Sequence, residues 1–172
     1  MNLFEILGLS SRLDRTDDLE RGSLYEQLEN CLSGLPENEI RFVAGLAGLL
    51  GRVALADMKL ETEEIEEIRR ILREESSLTT EQVERVLRLI ELHADEYFGA
   101  ENVYYTRLIN QAATKIQKLE VLHAVFAVAA ANGSISVQEE AEIRTIASGL
   151  LLTHQEYIEI RIQFRDQLDV LR

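Results

Sequence analysis

Residues 46–72, LAGLLGRVALADMKLETEEIEEIRRIL, lie over residues 121–147, VLHAVFAVAAANGSISVQEEAEIRTIA, without a gap. Eight of the 27 positions are identical: Val53/Val128, Ala54/Ala129, Ala56/Ala131, Glu64/Glu139, Glu67/Glu142, Ile68/Ile143, Arg69/Arg144 and Ile71/Ile146. Each copy runs from an apolar stretch through a short polar turn into a charged amphipathic stretch. In the latter, Ile65, Ile68, Ile71 and Leu72 recur at helical spacing, as do Ile143, Ile146, Ala147 and Leu150. After a one-residue gap, Leu78-Thr79-x-Glu81 meets Leu152-Thr153-x-Gln155. Each half therefore reads as apolar helix, turn, charged helix and capped third helix. The expectation is two pseudo-symmetric helical repeats, near 38–98 and 113–170, packed about a pseudo-twofold axis around one core. Gly45, Gly48 and Gly51 lie inside the first apolar helix, where each costs about 1 kcal/mol relative to alanine. Close approach of a neighbouring backbone is the physical reason to keep them.

Helix signals continue outside the repeat. Val83, Val86, Leu87 and Ile90 share a face, and no segment sustains the alternation of a strand. Ser23-x-x-Glu26, Thr79-x-x-Gln82, Ser136-x-x-Glu139 and Thr153-x-x-Glu156 are capping-box patterns. Pro36 suits the first position of a helix, and Gly34 and Gly99 suit helix ends. The reading is a short helix near 2–8, then helices near 22–33, 36–56, 61–75, 79–98, 101–114, 116–131, 136–149 and 153–170. That is an all-α chain of eight to nine helices. Residues 1–21 form a short helix and a polar loop, and residues 22–172 form a single compact helical domain. The apolar Leu3, Phe4, Ile6, Leu7 and Leu9 are expected to dock on the body.

Composition limits the partners. With 18 basic and 31 acidic residues, the formal charge is −13. Such an excess repels phosphate backbones and anionic lipid, so nucleic acid and membrane surfaces are disfavoured, while cations and basic partners are not. The acidity is uneven: Asp57–Glu75 holds eight acids and four bases, whereas Asn132–Leu150 holds three acids and one base. The longest apolar stretches, 42–50 and 121–131, are well short of the roughly 20 residues of a membrane helix. No basic segment followed by an apolar run marks a secretory signal, and the single Cys31 allows neither an intrachain disulfide nor a thiolate zinc cage. These features suit a reducing cytoplasm.

The repeated turn is where chemistry is expected. It reads Ala56-Asp57-Met58-Lys59-Leu60-x-x-x-Glu64 in the first copy and Ala131-Asn132-Gly133-Ser134-Ile135-x-x-x-Glu139 in the second. The tail of a calcium-binding EF-hand loop looks similar, but Val128 and Ala130, or Val53 and Leu55, stand where oxygen ligands are required. A different site forms if the pseudo-twofold brings the turns together. Asp57, Glu64, Asn132 and Glu139 would then cluster as hard oxygen donors suited to Ca²⁺ or Mg²⁺, with Glu61 and Glu63 adding outer charge. The competing reading is structural. Glu139 completes a capping box with Ser136, Glu64 answers the dipole of its helix, and Asp57 and Asn132 shape the turns. Both readings stand at this point. His93, His123 and His154 are not paired at metal-ligand spacing; His123 is expected as a hydrogen-bonded core residue and His154 as an exposed one. Cys31 reads as half-buried.

In the two turns, in Ile-Arg-Arg-Ile-Leu at 68–72, in Ile-Arg-Thr-Ile-Ala at 143–147 and in the segment Tyr104–Ile109, the chain resembles the TerB-like family of tellurite-resistance-associated proteins, over roughly residues 38–165. The resemblance implies an all-helical fold with internal pseudo-symmetry. It also implies divalent-cation binding through the turn Asp and the helix Glu, which here are Asp57, Glu64 and Glu139. Relatives in the family occur in tellurite and stress-response operons and in a membrane-anchored DnaJ-like co-chaperone, which implies a scaffold near membrane complexes. The usual Asp-Gly turn of the family is Asp57-Met58 in one copy here and Asn132-Gly133 in the other. The expectation is a non-enzymatic cytoplasmic protein that binds a divalent cation weakly and presents a helical face to other proteins. The alternative is a protein-interaction adaptor with no metal site.

Overall fold

A computed structural model describes residues 24–92 and 103–169. Among them are eight α-helices: α1 (Leu24–Cys31), α2 (Glu37–Ala54), α3 (Thr62–Glu74), α4 (Thr80–Leu92), α5 (Val103–Ala112), α6 (Lys115–Ala129), α7 (Val137–Gly149) and α8 (His154–Arg161). A 3₁₀ helix, Ile162–Gln167, follows α8, and no strand occurs among the described residues. The all-α reading holds for one domain. The expected helix at 2–8, the loop at 9–21, Ser23, His93 and Gly99 lie outside the described residues.

The helix ends follow the sequence signals. Thr114, Ser136 and Thr153 each accept a hydrogen bond from the backbone N–H three residues on, and Gln117, Glu139 and Glu156 reach back to the cap. Gly34 ends the α1 turn at φ 105°. Pro36 sits one position earlier than expected, at the N-cap, with Glu37 as the first helical residue.

Helix α2 is the axle of the fold. From Val43 to Gly51 every residue is buried. It packs against α1, α3, α4, α5, α6 and α7. Its largest interface is with α5, and the glycines explain it. A Cβ on Gly48 would lie 2.2 Å from the Tyr105 ring, and one on Gly45 would lie 2.9 Å from Ile109. The second apolar helix, α6, lies against α2 and also contacts α3, α7 and α8. The charged helices thus reach across: α3 contacts α6, and α7 contacts α2, where Arg52 Nε donates to Glu142 Oε1 at 2.7 Å. This crossing draws the two turns that open α3 and α7 toward each other.

The C-terminal segment differs from the single helix expected at 153–170. The chain tightens after Arg161 into the 3₁₀ turn, which stacks Phe164 on Phe126 with centroids 5.2 Å apart. It then runs extended through Leu168, which is fully buried and bridges in parallel to Ile135. His123 also departs from expectation. It is exposed, with its ring 5.2 Å from Phe164. Ile116, Glu120 and His123 form the outer stripe of α6, a stripe hidden in the sequence by the apolar residues around it. Cys31 is half-buried and His154 exposed.

Candidate functional site

The two turns are built alike, bond for bond. Ala56 N–H donates to Val53 O at 3.1 Å, and Ala131 N–H to Val128 O at 3.1 Å. Met58 N–H donates to Leu55 O at 3.0 Å, and Gly133 N–H to Ala130 O at 2.9 Å. Asp57 Oδ1 accepts from Lys59 N–H and Asn132 Oδ1 from Ser134 N–H, each at 3.0 Å. These are Asx turns, in which the short side chain stands in for a backbone acceptor. At the next position Met58 takes φ 67° and Gly133 φ 96°. Glycine enters this left-handed region without strain; methionine does so at a cost of roughly 1–2 kcal/mol.

Each turn then delivers a glutamate into the interior. Glu61 N–H donates to Glu64 Oε2 at 2.8 Å, and Ser136 N–H to Glu139 Oε2 at 2.7 Å. Glu64 is 2 % exposed and Glu139 is 3 % exposed. Each carboxyl group acts electrostatically on the other. Burial and a like-charged neighbour both disfavour the ionised form of a carboxyl group. Burial, opposed by the Glu61 N–H and reinforced by the Glu139 and Asp57 charges, pushes Glu64 up to about 8. Burial also raises Glu139, against the lowering effect of the Ser136 N–H and hydroxyl, and the Asp57 charge raises it further. The pair therefore holds a proton at neutral pH.

Three of the four expected residues, Asp57, Glu64 and Glu139, thus act on one another. Asn132 is placed differently. It is exposed, its Oδ1 serves the turn, and its Nδ2 donates to Glu61 Oε2 at 2.9 Å. That bond ties the second turn to the first. Glu61, expected only as outer charge, is thus the bridge between the turns and the N-cap of α3. Its signal in the sequence was the Glu61-x-x-Glu64 spacing, a capping box with an acid in the Ser position. Among the described residues no group of three or more His, Cys, Asp or Glu side chains is gathered as a metal shell.

Beside the turns, Thr62, Glu63, Glu66, Glu67 and Arg70 of α3 and Ala131 line an open groove of about 560 Å³. Arg70 bonds Glu67 and Glu74, and Arg69 bonds Glu66 and Glu84, so the wall is an acid-rich ladder of ion pairs.

A family model described as tellurite resistance protein TerB matches residues 44–162, which span α2 to the start of the 3₁₀ helix and include both turns. The chain belongs to the TerB family. The match covers more than half of the chain, and it contains Asp57, Glu64, Asn132 and Glu139. No curated protein and no solved structure matches the chain. The family is one related to tellurite resistance, and no described helix of the chain is long and apolar enough to cross a membrane.

Proposed function

We propose that this TerB-family chain is a non-enzymatic scaffold that takes up a divalent cation where its two turns meet, in service of a chemical-stress response. The observation that supports this is the buried Glu64–Glu139 carboxyl pair, contributed by two separate turns and acted on by the Asp57 charge. The donor set fits. Each glutamate spends Oε2 on a backbone N–H and keeps Oε1, and Asp57 spends Oδ1 on its own turn and keeps Oδ2. Hard oxygens of this kind suit Ca²⁺ or Mg²⁺. Asp57, Glu64 and Glu139 would hold the cation, which would supply the positive charge that the proton now supplies. Asn132 would keep the turns in register through Glu61.

The test is calorimetric titration of Ca²⁺, Mg²⁺, Mn²⁺ and Zn²⁺. Saturable binding that disappears in Asp57→Ala/Glu139→Ala supports the reading. Absence of heat with all four cations, or equal heat from the double variant, removes it.

A second reading draws on one observation: both glutamates already cap their helices through Oε2. On that reading the protein is an adaptor without a metal site, and its carboxyl pair is purely structural. It requires that no added cation change the thermal midpoint.

A further inference from the structure

The two turns share their backbone turn bonds, their Asx bond and their capping bond, and they differ in how the next residue is paired. In the second turn, the backbone of Ile135 is paired on both sides: Ile135 N–H donates to Gln167 O at 2.7 Å, and Asp169 N–H donates to Ile135 O at 3.0 Å. The C-terminal strap thereby buries Leu168 completely and leaves Ile135 1 % exposed. The residue that corresponds to Ile135 in the first turn is Leu60. Among the described residues its N–H and C=O have no hydrogen-bond partner, and its side chain is only partly buried against the core. The same Asx turn on one side and the same capping bond on the other hold the two segments. Leu60 thus presents an open copy of the edge that the strap closes at Ile135. Backbone outside any helix that runs into the extended Glu61 with a free donor and acceptor is a template for strand addition.

The surroundings define the occupant. Met58, next to this edge, is 77 % exposed, an apolar side chain left in water at a strained position. Thr62, next in the chain after Glu61, opens the groove walled by Glu63, Glu66, Glu67 and Arg70, three acids to one base. Acids outnumber bases eight to four from Asp57 to Glu75. The strap of the chain itself, Gln163–Asp169, is not basic and is already committed to Ile135. We propose that Lys59–Glu61 and the acidic groove beside it form a docking site for an extended, basic peptide segment of a partner protein. The segment would pair with Leu60 as the strap pairs with Ile135, setting an apolar residue beside Met58 and Leu60 and its flanking lysines or arginines along α3. This site does not depend on the cation reading.

The strap defines the test. Its acceptor is the carbonyl before Leu168 and its donor is the N–H after it. The probe is a synthetic peptide, Lys-Val-Lys-Leu-Lys-Val-Lys, titrated into the full chain in chelator-treated buffer, with fluorescence anisotropy and amide hydrogen exchange as readouts. The expected results are saturable binding and at least tenfold slower exchange of the Leu60 amide. N-methylation of the lysine after the peptide's leucine should weaken binding about tenfold, and Glu63→Lys/Glu66→Lys should weaken it at least as much. Leu60→Pro, which removes the donor, should act like N-methylation, and the methylated peptide gives the same answer should that variant fail to fold. No saturable binding overturns the proposal. So does binding indifferent to N-methylation, which would be charge attraction alone, and so does protection that misses Leu60.

Discussion

Glu64 and Glu139, delivered by two turns far apart in the chain, are both buried, and each carboxyl group raises or lowers the proton affinity of the other. Glu64 is raised from 4.5 to about 8 in the folded protein. A raised acid contributes stability that is fully present below its unfolded value and is lost as pH climbs through its folded value. The thermal midpoint in chelator should therefore fall between about pH 5 and pH 9, with the loss on the order of 4–5 kcal/mol. Glu64→Gln, which never ionises, should flatten that fall. A wild-type midpoint that rises across the same window contradicts the held proton.

Cation uptake at this pair displaces a proton, and this gives a second expectation. Below pH 8 each bound cation should release close to one proton, and above pH 9 almost none. Calorimetry at one pH in two buffers of different ionisation enthalpy measures that number directly. Binding with no proton release at pH 6.5 would place the cation away from Glu64.

Met58 stands at φ 67°, where its counterpart Gly133 stands at φ 96°. Met58→Gly should stabilise the protein by about 1 kcal/mol, the left-handed strain partly offset by the greater freedom of glycine in the unfolded chain. Equilibrium urea unfolding reads the change. The converse, Gly133→Met, should destabilise by a similar amount.

The fold was legible because the signals were local and repeated. Capping boxes at Thr79, Ser136 and Thr153 placed three helix starts, and the small residues of α2 announced a close approach without naming its partner, which is α5. The site was legible in part. Residue types selected Asp57, Glu64 and Glu139, and the aligned turns made their meeting plausible. Asn132 shapes its turn, as the structural reading had it, and its bond to Glu61 was not legible because residue type does not name the partner of an exposed amide. The strap at Leu168 was invisible because a parallel bridge between residues 135 and 168 leaves no periodic mark in either segment. His123 was misjudged because one exposed position on an otherwise apolar helix does not alter its overall pattern.

Glu140 supplies the last prediction, at the other end of α7's first turn. It is buried, accepts from Arg161 Nε at 2.7 Å, and receives the Tyr157 hydroxyl at 3.4 Å. Arg144 lies over the Tyr157 ring, 5.5 Å from its centroid. Removing the guanidinium of Arg161 leaves a buried carboxylate with only an exposed arginine, Arg144, at 3.8 Å as its remaining cation. Arg161→Met should therefore cost about 3 kcal/mol, since breaking a buried ion pair strands the surviving charge. Adding Glu140→Gln should recover much of that loss, because the amide carries no charge to strand. Urea unfolding of the two single variants and the double variant measures the coupling. Additive losses would show that packing of the arginine stem, and not the ion pair, ties α8 to α7.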